Sequence, residues 1–254
     1  MHAWRQRGAL TGDYRSWADA LADARGYADE LLLKRALAAV REVEAGRAAW
    51  ERDGATFPQP QVNAPLLSVL REIAAAEGGW LVLVDFGGAL GSTWRQHRAE
   101  LAGLAQLEWR VVEQPHVVAA GRMLAPGPLR FHASLAEAWS GEPPRAALFS
   151  SVLPYLEDPW AVLAEVAARG CRHVIIDRTS FAADGRRRLA VQRVSAALGG
   201  GSYPCWLFDQ EGLLAPLAAE YRLVREWTPT IDDIHPAAVF RGFWLSRRDG
   251  GRDA

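Results

Sequence analysis

The 254-residue chain contains a single lysine, Lys34, and only two cysteines and two methionines. Cys171 and Cys205 stand far apart, with no CxxC pair and no histidine pairing nearby. That spacing excludes a disulfide scaffold and a structural zinc site, so no metal is expected. Charge of one sign is also lacking: 29 basic residues face 30 acidic ones, for a formal net charge of −1. A protein that coats nucleic acid needs a basic excess, so no nucleic-acid partner is expected. No apolar run is longer than Trp80–Val84, far short of the roughly 20 residues that span a bilayer. The first eight residues, Met1 to Gly8, carry no apolar stretch of the kind that directs secretion. The expectation is a cytoplasmic protein, monomeric or homodimeric, with no membrane partner. What is present is an apolar half of the composition, ample for a packed core and incompatible with a wholly disordered chain.

Three textures follow one another. Residues 1–65 read as a helical cap and its connector. Leu33, Leu37 and Val40 share one helical face, Gly26 and Gly46 punctuate it, and the stretch Asp53–Pro65 carries Gly54, Pro58 and Pro60. Residues 66–246 alternate short apolar runs with helical patterns, the signature of a mostly parallel sheet. Strands are expected at Leu81–Asp85, Arg110–Glu113, Leu129–His132, Ala146–Ser150, His173–Asp177, Tyr221–Glu226 and Val239–Ser246. Helices are expected at Leu66–Ala76, Ser92–Ala105, Pro115–Leu124, Leu135–Trp139, Pro159–Arg169 and Asp209–Glu220. No helical pattern separates the last two strands, so the last strand is expected to be antiparallel. Residues 181–206 form an insertion longer than an ordinary connection, suited to a substrate wall. Residues 247–254 read as a disordered tail.

The segment Asp85-Phe86-Gly87-Gly88-Ala89-Leu90-Gly91-Ser92 carries a buried strand into a helix. Glycine there lets the backbone approach a ligand, and the helix start presents free N–H groups. A dinucleotide fingerprint starting at Gly87 needs glycine at positions 89 and 92, which are Ala89 and Ser92. A P-loop needs a lysine at its end, and this segment has none. An acid followed by glycines at alternate positions, Asp85, Gly87, Ala89 and Gly91, matches in three of four places. That register resembles the S-adenosylmethionine loop of class I methyltransferases. An acid at the loop suits the ammonium of the methionyl group, and Glu113 at the end of the next strand can accept both ribose hydroxyls.

The resemblance extends along the chain. Gly12-Asp13-Tyr14-Arg15-Ser16-Trp17, Trp50-Glu51-Arg52-Asp53, the glycine loop, Trp109-Arg110-Val111-Val112-Glu113-Gln114-Pro115, Ser150 to Pro159, Asp177-Arg178-Thr179-Ser180-Phe181, Val191-Gln192 and Ser202 to Trp206 are similar to a family of bacterial class I S-adenosylmethionine-dependent methyltransferases. Its members often lie near surface-polysaccharide or natural-product genes, and their substrate is undefined. The resemblance implies a seven-stranded, mostly parallel Rossmann-like α/β sheet with the last strand antiparallel and an N-terminal helical cap. It also implies S-adenosylmethionine as cofactor, held by Asp85, Gly87, Gly88, Ala89, Gly91, Glu113, Gln114, Ser150 and Ser151.

The acceptor side leaves alternatives open. Tyr155 either faces the sulfonium, by attraction of a cation to an aromatic ring, or packs a helix. Asp177 either serves as a general base or pairs with Arg178, which can itself clamp an anionic substrate. His235 is the second candidate base. Gln192, Tyr203 and Trp206 are candidate substrate contacts in the insertion, whose Arg186-Arg187-Arg188 run reads as a solvated helix face. Tyr14, Trp17 and Arg52 belong either to a lid over the site or to a self-contained salt-bridge cluster. The expected activity is methyl transfer to an oxygen or nitrogen of a small molecule, a sugar or natural-product intermediate. Two rivals stand beside it: a cofactor-binding protein without methyl transfer, and an NAD-dependent oxidoreductase.

Overall fold

A long apolar strand whose residues are buried on both faces must lie inside a sheet with helices on either side, and Trp80–Phe86 (β4) is such a strand. The structure is a computed structural model describing residues 9–26, 29–125, 127–194, 200–229 and 236–248. In the main sheet β4 is joined by Gln106–Val112 (β5), Leu129–His132 (β6), Ala146–Ser150 (β7), His173–Ala182 (β8), Tyr221–Trp227 (β11) and Ala238–Arg247 (β12). The seven lie in the order β11-β12-β8-β7-β4-β5-β6. Pairs among β4 to β8 are parallel, whereas β12 runs antiparallel to both β8 and β11. The chain builds outward from β4 through β5 and β6, then returns to β4's other side with β7. The carboxyl ends of β4 and β7 therefore flank a topological switch point, where open α/β sheets bind ligands.

One face of the sheet packs Leu81, Leu83, Trp109 and Val111 against the helices Ala64–Ala76 (α3), Ser92–Leu101 (α4) and Pro115–Leu124 (α5). The other packs Val84, Phe149, Val174 and Ile176 against Pro159–Ala168 (α7) and Gln210–Leu214 (α8). The short helix Leu135–Ala138 (α6) follows β6. Pro65 sits in the first turn of α3 behind the cap Asn63, where its missing N–H costs nothing. Among the described residues no helix is long and apolar enough to cross a membrane. Both cysteines are buried free thiols.

The region before α3 is less helical than its pattern suggests. The helices Trp17–Asp23 (α1) and Asp29–Glu44 (α2) are accompanied by the strands Leu10–Tyr14 (β1), Trp50–Arg52 (β2) and Ala55–Phe57 (β3). The stretch after β8 holds no helix among its described residues. Instead Arg188–Arg193 (β9) and Ser202–Leu207 (β10) form an antiparallel pair, and β1 adds to the other edge of β9. The reading of Arg186-Arg187-Arg188 as a helix face is thus corrected. Arg188 opens β9 and donates to Asp184 Oδ1 at 3.0 Å, while Arg187 lies over the Trp160 ring at 5.2 Å. Residues 247 and 248, read as part of a disordered tail, are held in place, and the rest of that stretch lies outside the described residues. Arg247 still pairs with Tyr221, and the Arg248 N–H donates to the Glu220 carbonyl at 2.7 Å. The final helix ends at Leu214, with a 3-10 turn over Ala215–Leu217, because Pro216 removes an N–H that the next helical turn requires.

Candidate functional site

Backbone strain marks the switch point. Among the described residues, four other than glycine have positive φ: Ala89 at 50°, Ser151 at 60°, Arg178 at 49° and Asp53 at 53°. The first three follow β4, end β7 and interrupt β8 at its pairing bulge opposite Gly242. Such conformations cost energy and persist where the surroundings over-determine them, which is common at ligand sites.

The glycine loop is held from below and from the side. The Gly87 N–H donates to the Val112 carbonyl at 2.9 Å and the Gly91 N–H to the Gly88 carbonyl at 2.9 Å. Gly91, at φ 83°, caps α4 without any side-chain hydrogen bond, which leaves first-turn N–H groups of that helix open to a ligand. Glu113 reaches across: its Oε1 accepts from the Ala89 N–H at 3.2 Å and its Oε2 from the Gln114 N–H at 2.9 Å. Arg95, buried in α4, donates to the Leu90 carbonyl at 3.2 Å and pairs with Glu44 of α2.

Asp85 lies directly under this loop. It is fully buried, its Oδ2 accepts from Trp109 Nε1 at 2.9 Å, and its Oδ1 has no hydrogen-bond partner among the described residues. A Cβ on Gly88 would stand 2.5 Å from that Oδ2, so glycine is what lets loop and carboxyl close on each other. Burial pushes the Asp85 carboxyl up to about 7; the Trp109 bond opposes this and the Glu113 charge adds to it. The folded chain therefore holds a proton that the unfolded chain gives up near pH 4, and stability falls as pH rises from about 4 to about 7. Asp85→Asn removes that loss. In urea titrations the ligand-free variant is expected to gain on the order of 2–4 kcal/mol over wild type at pH 8 and little at pH 4. Equal gains at both pH values would refute the buried-proton account.

Asp177, the first-choice base, proves to be a junction. It is fully buried; its Oδ2 accepts from Asn63 Nδ2 at 2.9 Å and Ser150 Oγ at 3.2 Å, and its Oδ1 accepts from Trp227 Nε1 at 3.0 Å. Arg178 Nε lies 3.7 Å from Oδ2 and donates to Ser150 Oγ at 3.2 Å. Trp227 reaches the carboxylate by crossing Gly242, where a Cβ would come within 2.1 Å of the indole. Asn63 in turn donates its backbone N–H to His97 Nε2 at 3.0 Å, while His97 Nδ1 sits 2.8 Å from the Thr93 carbonyl. With no exposure and both oxygens engaged by donors from within the fold, the carboxylate is placed as an anchor that ties β8 to the connector, β7 and β11. His235, the other candidate, lies outside the described residues.

Beside the β9–β10 pair the structure brings together Tyr155, Gln192 and Tyr203, three of the residues expected at the site. The Tyr155 hydroxyl donates to Gln192 Oε1 at 3.0 Å, and the Tyr155 and Tyr203 rings meet edge to face at 5.0 Å. Gln192 and Tyr203 are cross-strand partners, so they share one face of the β9–β10 pair. Tyr14 and Trp17 are not with them. Tyr14 pairs with Leu189, which faces Trp206, and this register puts them on the opposite face, packed with α1. There the Tyr14 hydroxyl donates to Asp23 Oδ2 at 2.6 Å on the surface, and Trp17 stacks on Trp206 at 6.3 Å. Trp206 Nε1 donates to the Leu156 carbonyl, which fastens β10 to the turn holding Tyr155. Arg52 is buried within the cap, 6.0 Å from the Trp50 ring.

Two residues escaped the sequence reading of the site itself. Asn63 was hidden as a lone amide in a proline-rich connector; a polar residue just before Ala64-Pro65 signals a helix cap, but nothing announces its bond to Asp177. Glu51 enters the sequence reading only within the segment Trp50–Asp53, yet it is 2% exposed, and its Oε1 has no hydrogen-bond partner among the described residues.

No family model matches the sequence, and no curated protein does. Solved structures do. The N-terminal domain of EvdMO1, determined in the presence of SAH and D-fucose, is 15% identical with a TM-score of 0.51, over 84% of this chain and 97% of that one. The fold is the class I methyltransferase fold. Magnesium protoporphyrin IX methyltransferase from Synechocystis PCC 6803, solved with bound SAH, is 16% identical at a TM-score of 0.49, over 85% of this chain and 99% of that one. At 15% identity the likeness to the EvdMO1 domain speaks for architecture alone, and the chemistry rests on the side chains.

Proposed function

We propose that the chain is an S-adenosylmethionine-dependent methyltransferase acting on an oxygen or nitrogen of a small molecule, a sugar or natural-product intermediate. The observation that carries the reading is the acidic frame of the glycine loop, with Asp85 beneath it and Glu113 beside it. A pyrophosphate would meet two carboxyl groups there, whereas a ligand with an ammonium and a pair of ribose hydroxyls is matched by them. The unpartnered Asp85 Oδ1 and the open first turn of α4 fit such a ligand.

When bound, the cofactor supplies a methyl carbon already activated by its sulfonium. The chain's own task is alignment and exclusion of water. Glu113 holds the ribose hydroxyls with the lone pairs not used by Ala89 and Gln114, and Gly88 and Gly91 keep the backbone close. Ser150 and Ser151 set the end of β7, with the Ser151 N–H donating to the Asp177 carbonyl at 2.9 Å. Tyr155, Gln192 and Tyr203 orient the acceptor, and Arg178 and Trp206 hold the turns behind them. The described parts of residues 9–65 and 181–206 act as one roof, because β1 and β9 share hydrogen bonds. Asp177 positions Asn63, Ser150 and Trp227 and abstracts no proton. The acceptor is therefore a group that transfers without a base at this position, such as a neutral amine. The same saturation of Asp177 favours, as the second reading, a cofactor-binding protein that does not transfer the methyl group.

Calorimetric titration with S-adenosylhomocysteine, with NAD as control, tests the assignment. Micromolar binding of the former and none of the latter is expected, and Glu113→Ala should weaken it about tenfold, the loss of one charge-assisted hydrogen bond pair. A preference for NAD would overturn the methyltransferase reading. Methyl transfer to candidate amines and sugars, measured with the same preparation, separates the first reading from the second.

A further inference from the structure

Glu51 lies in β2, which packs against α4 immediately beyond the glycine loop. Hydrogen bonds from the Ser92 side chain and the Gly54 backbone reach its carboxyl, yet Oε1 has no partner among the described residues. Ser92 is the first residue of α4, so this carboxyl stands where the loop enters the helix, whereas Asp85 stands where the loop leaves β4. Each end of the loop thus carries a buried carboxyl with one oxygen unsatisfied. Leaving a buried acceptor unmet is costly, and a pair of them on one loop points to a cationic ligand. We propose that Glu51 is a cofactor-binding residue whose Oε1 receives the α-ammonium of the methionyl group, with loss of one proton from the carboxyl to solvent on binding.

The inference rests on the cofactor assignment above and adds to it a residue from outside the Rossmann-like sheet. Its electrostatic setting is consistent. Burial is the chief cause that raises the Glu51 carboxyl to about 7; Asp53 pushes the same way, and Ser92 and Arg95 oppose it. Of the other charged groups packed around β2, Glu44 of α2 and Arg98 of α4 are paired with each other, and Glu44 also holds Arg95. Arg35 of α2 lies against Gly54, Arg52 is the neighbour on the strand, and β3 brings no charge. Below about pH 7 the free carboxyl carries a proton that the complex gives up, so affinity rises with pH through that range.

Calorimetry on the full chain tests this without any turnover. S-adenosylhomocysteine, which carries the ammonium, is expected to bind wild type about tenfold more tightly at pH 8 than at pH 6 through this one proton. Glu51→Gln should remove one proton of that slope and lower affinity at pH 8 at least tenfold, with partial recovery in Glu51→Asp. 5′-Methylthioadenosine lacks the ammonium and should bind wild type and Glu51→Gln alike. Equal affinity of the two proteins for S-adenosylhomocysteine overturns the role of Glu51 and leaves the cofactor assignment standing, whereas no binding by wild type removes the cofactor assignment itself. If Glu51→Gln does not fold, wild type alone decides: discrimination of less than about threefold between S-adenosylhomocysteine and its deaminated analogue overturns the proposal.

Discussion

Asp177→Ala is expected to lose about 3–5 kcal/mol of folding stability, the scale on which removing one partner of a buried charged cluster destabilises a fold. The carboxylate accepts from Asn63 before α3, Ser150 at the end of β7 and Trp227 at the end of β11, and the Arg178 guanidinium lies 3.7 Å from it. Alanine strands all of them in a site with no exposure. Asp177→Asn keeps an acceptor for Trp227 but turns an amide toward other donors, and should lose about 1–3 kcal/mol. Urea denaturation at pH 7 measures both. A general base at the surface of a pocket would show the opposite pattern, with small stability changes and a steep pH dependence of turnover. A loss below 1 kcal/mol for the alanine variant is therefore incompatible with the anchor role. For the same reason, folded Asp177→Asn should bind S-adenosylhomocysteine within about threefold of wild type.

Gly87→Arg is expected to abolish measurable binding of S-adenosylhomocysteine, a loss above roughly 100-fold, while the sheet stays folded. Two effects combine. Gly87 has a φ of 69°, where a side chain costs about 1–2 kcal/mol, and its Cβ would stand 2.3 Å from Val152 Cγ2. Loop and β7 end are forced apart, and a guanidinium enters the space in which a cation has to be received. Gly46→Arg is the matched control. That glycine has the same φ of 69° and nothing within 4 Å of its Cβ. It should share the backbone cost and leave binding unchanged, so a parallel loss of affinity in both variants would mean that strain alone, and not the loop's position, is responsible.

The main sheet was legible because its strands are bounded by abrupt changes of period. Leu129–His132 and Ala146–Ser150 fall where the apolar runs lie, as does the helix Pro115–Leu124. The glycine loop was legible for a related reason: acid and glycines stand within a few residues of one another. The roof was not. β1 includes Gly12 and Asp13, and β10 has Pro204 in its middle, which argues against a strand unless that strand lies at an edge. β10 does lie at an edge, with β9 on its other side. β2 and β3 have three residues each, too short to show a period. The junction at Asp177 was beyond reach because its partners come from positions 63, 150 and 227. Strand-end polarity announced that Asp177 mattered; the contacts that decide its task are set by tertiary packing.

The pairing of Leu10 with Gln192 also has a consequence for how the chain matures on the ribosome. This strand is among the last to find its place, since its partner emerges about 180 residues later. By then β4 to β8 have been synthesised and can pair in parallel with their neighbours. Closing so large a loop is entropically slow, so the roof completes after the sheet beneath it. An amino-terminal fusion or truncation that disturbs residues 10–14 should accordingly spare the sheet's assembly and delay or prevent the final closure.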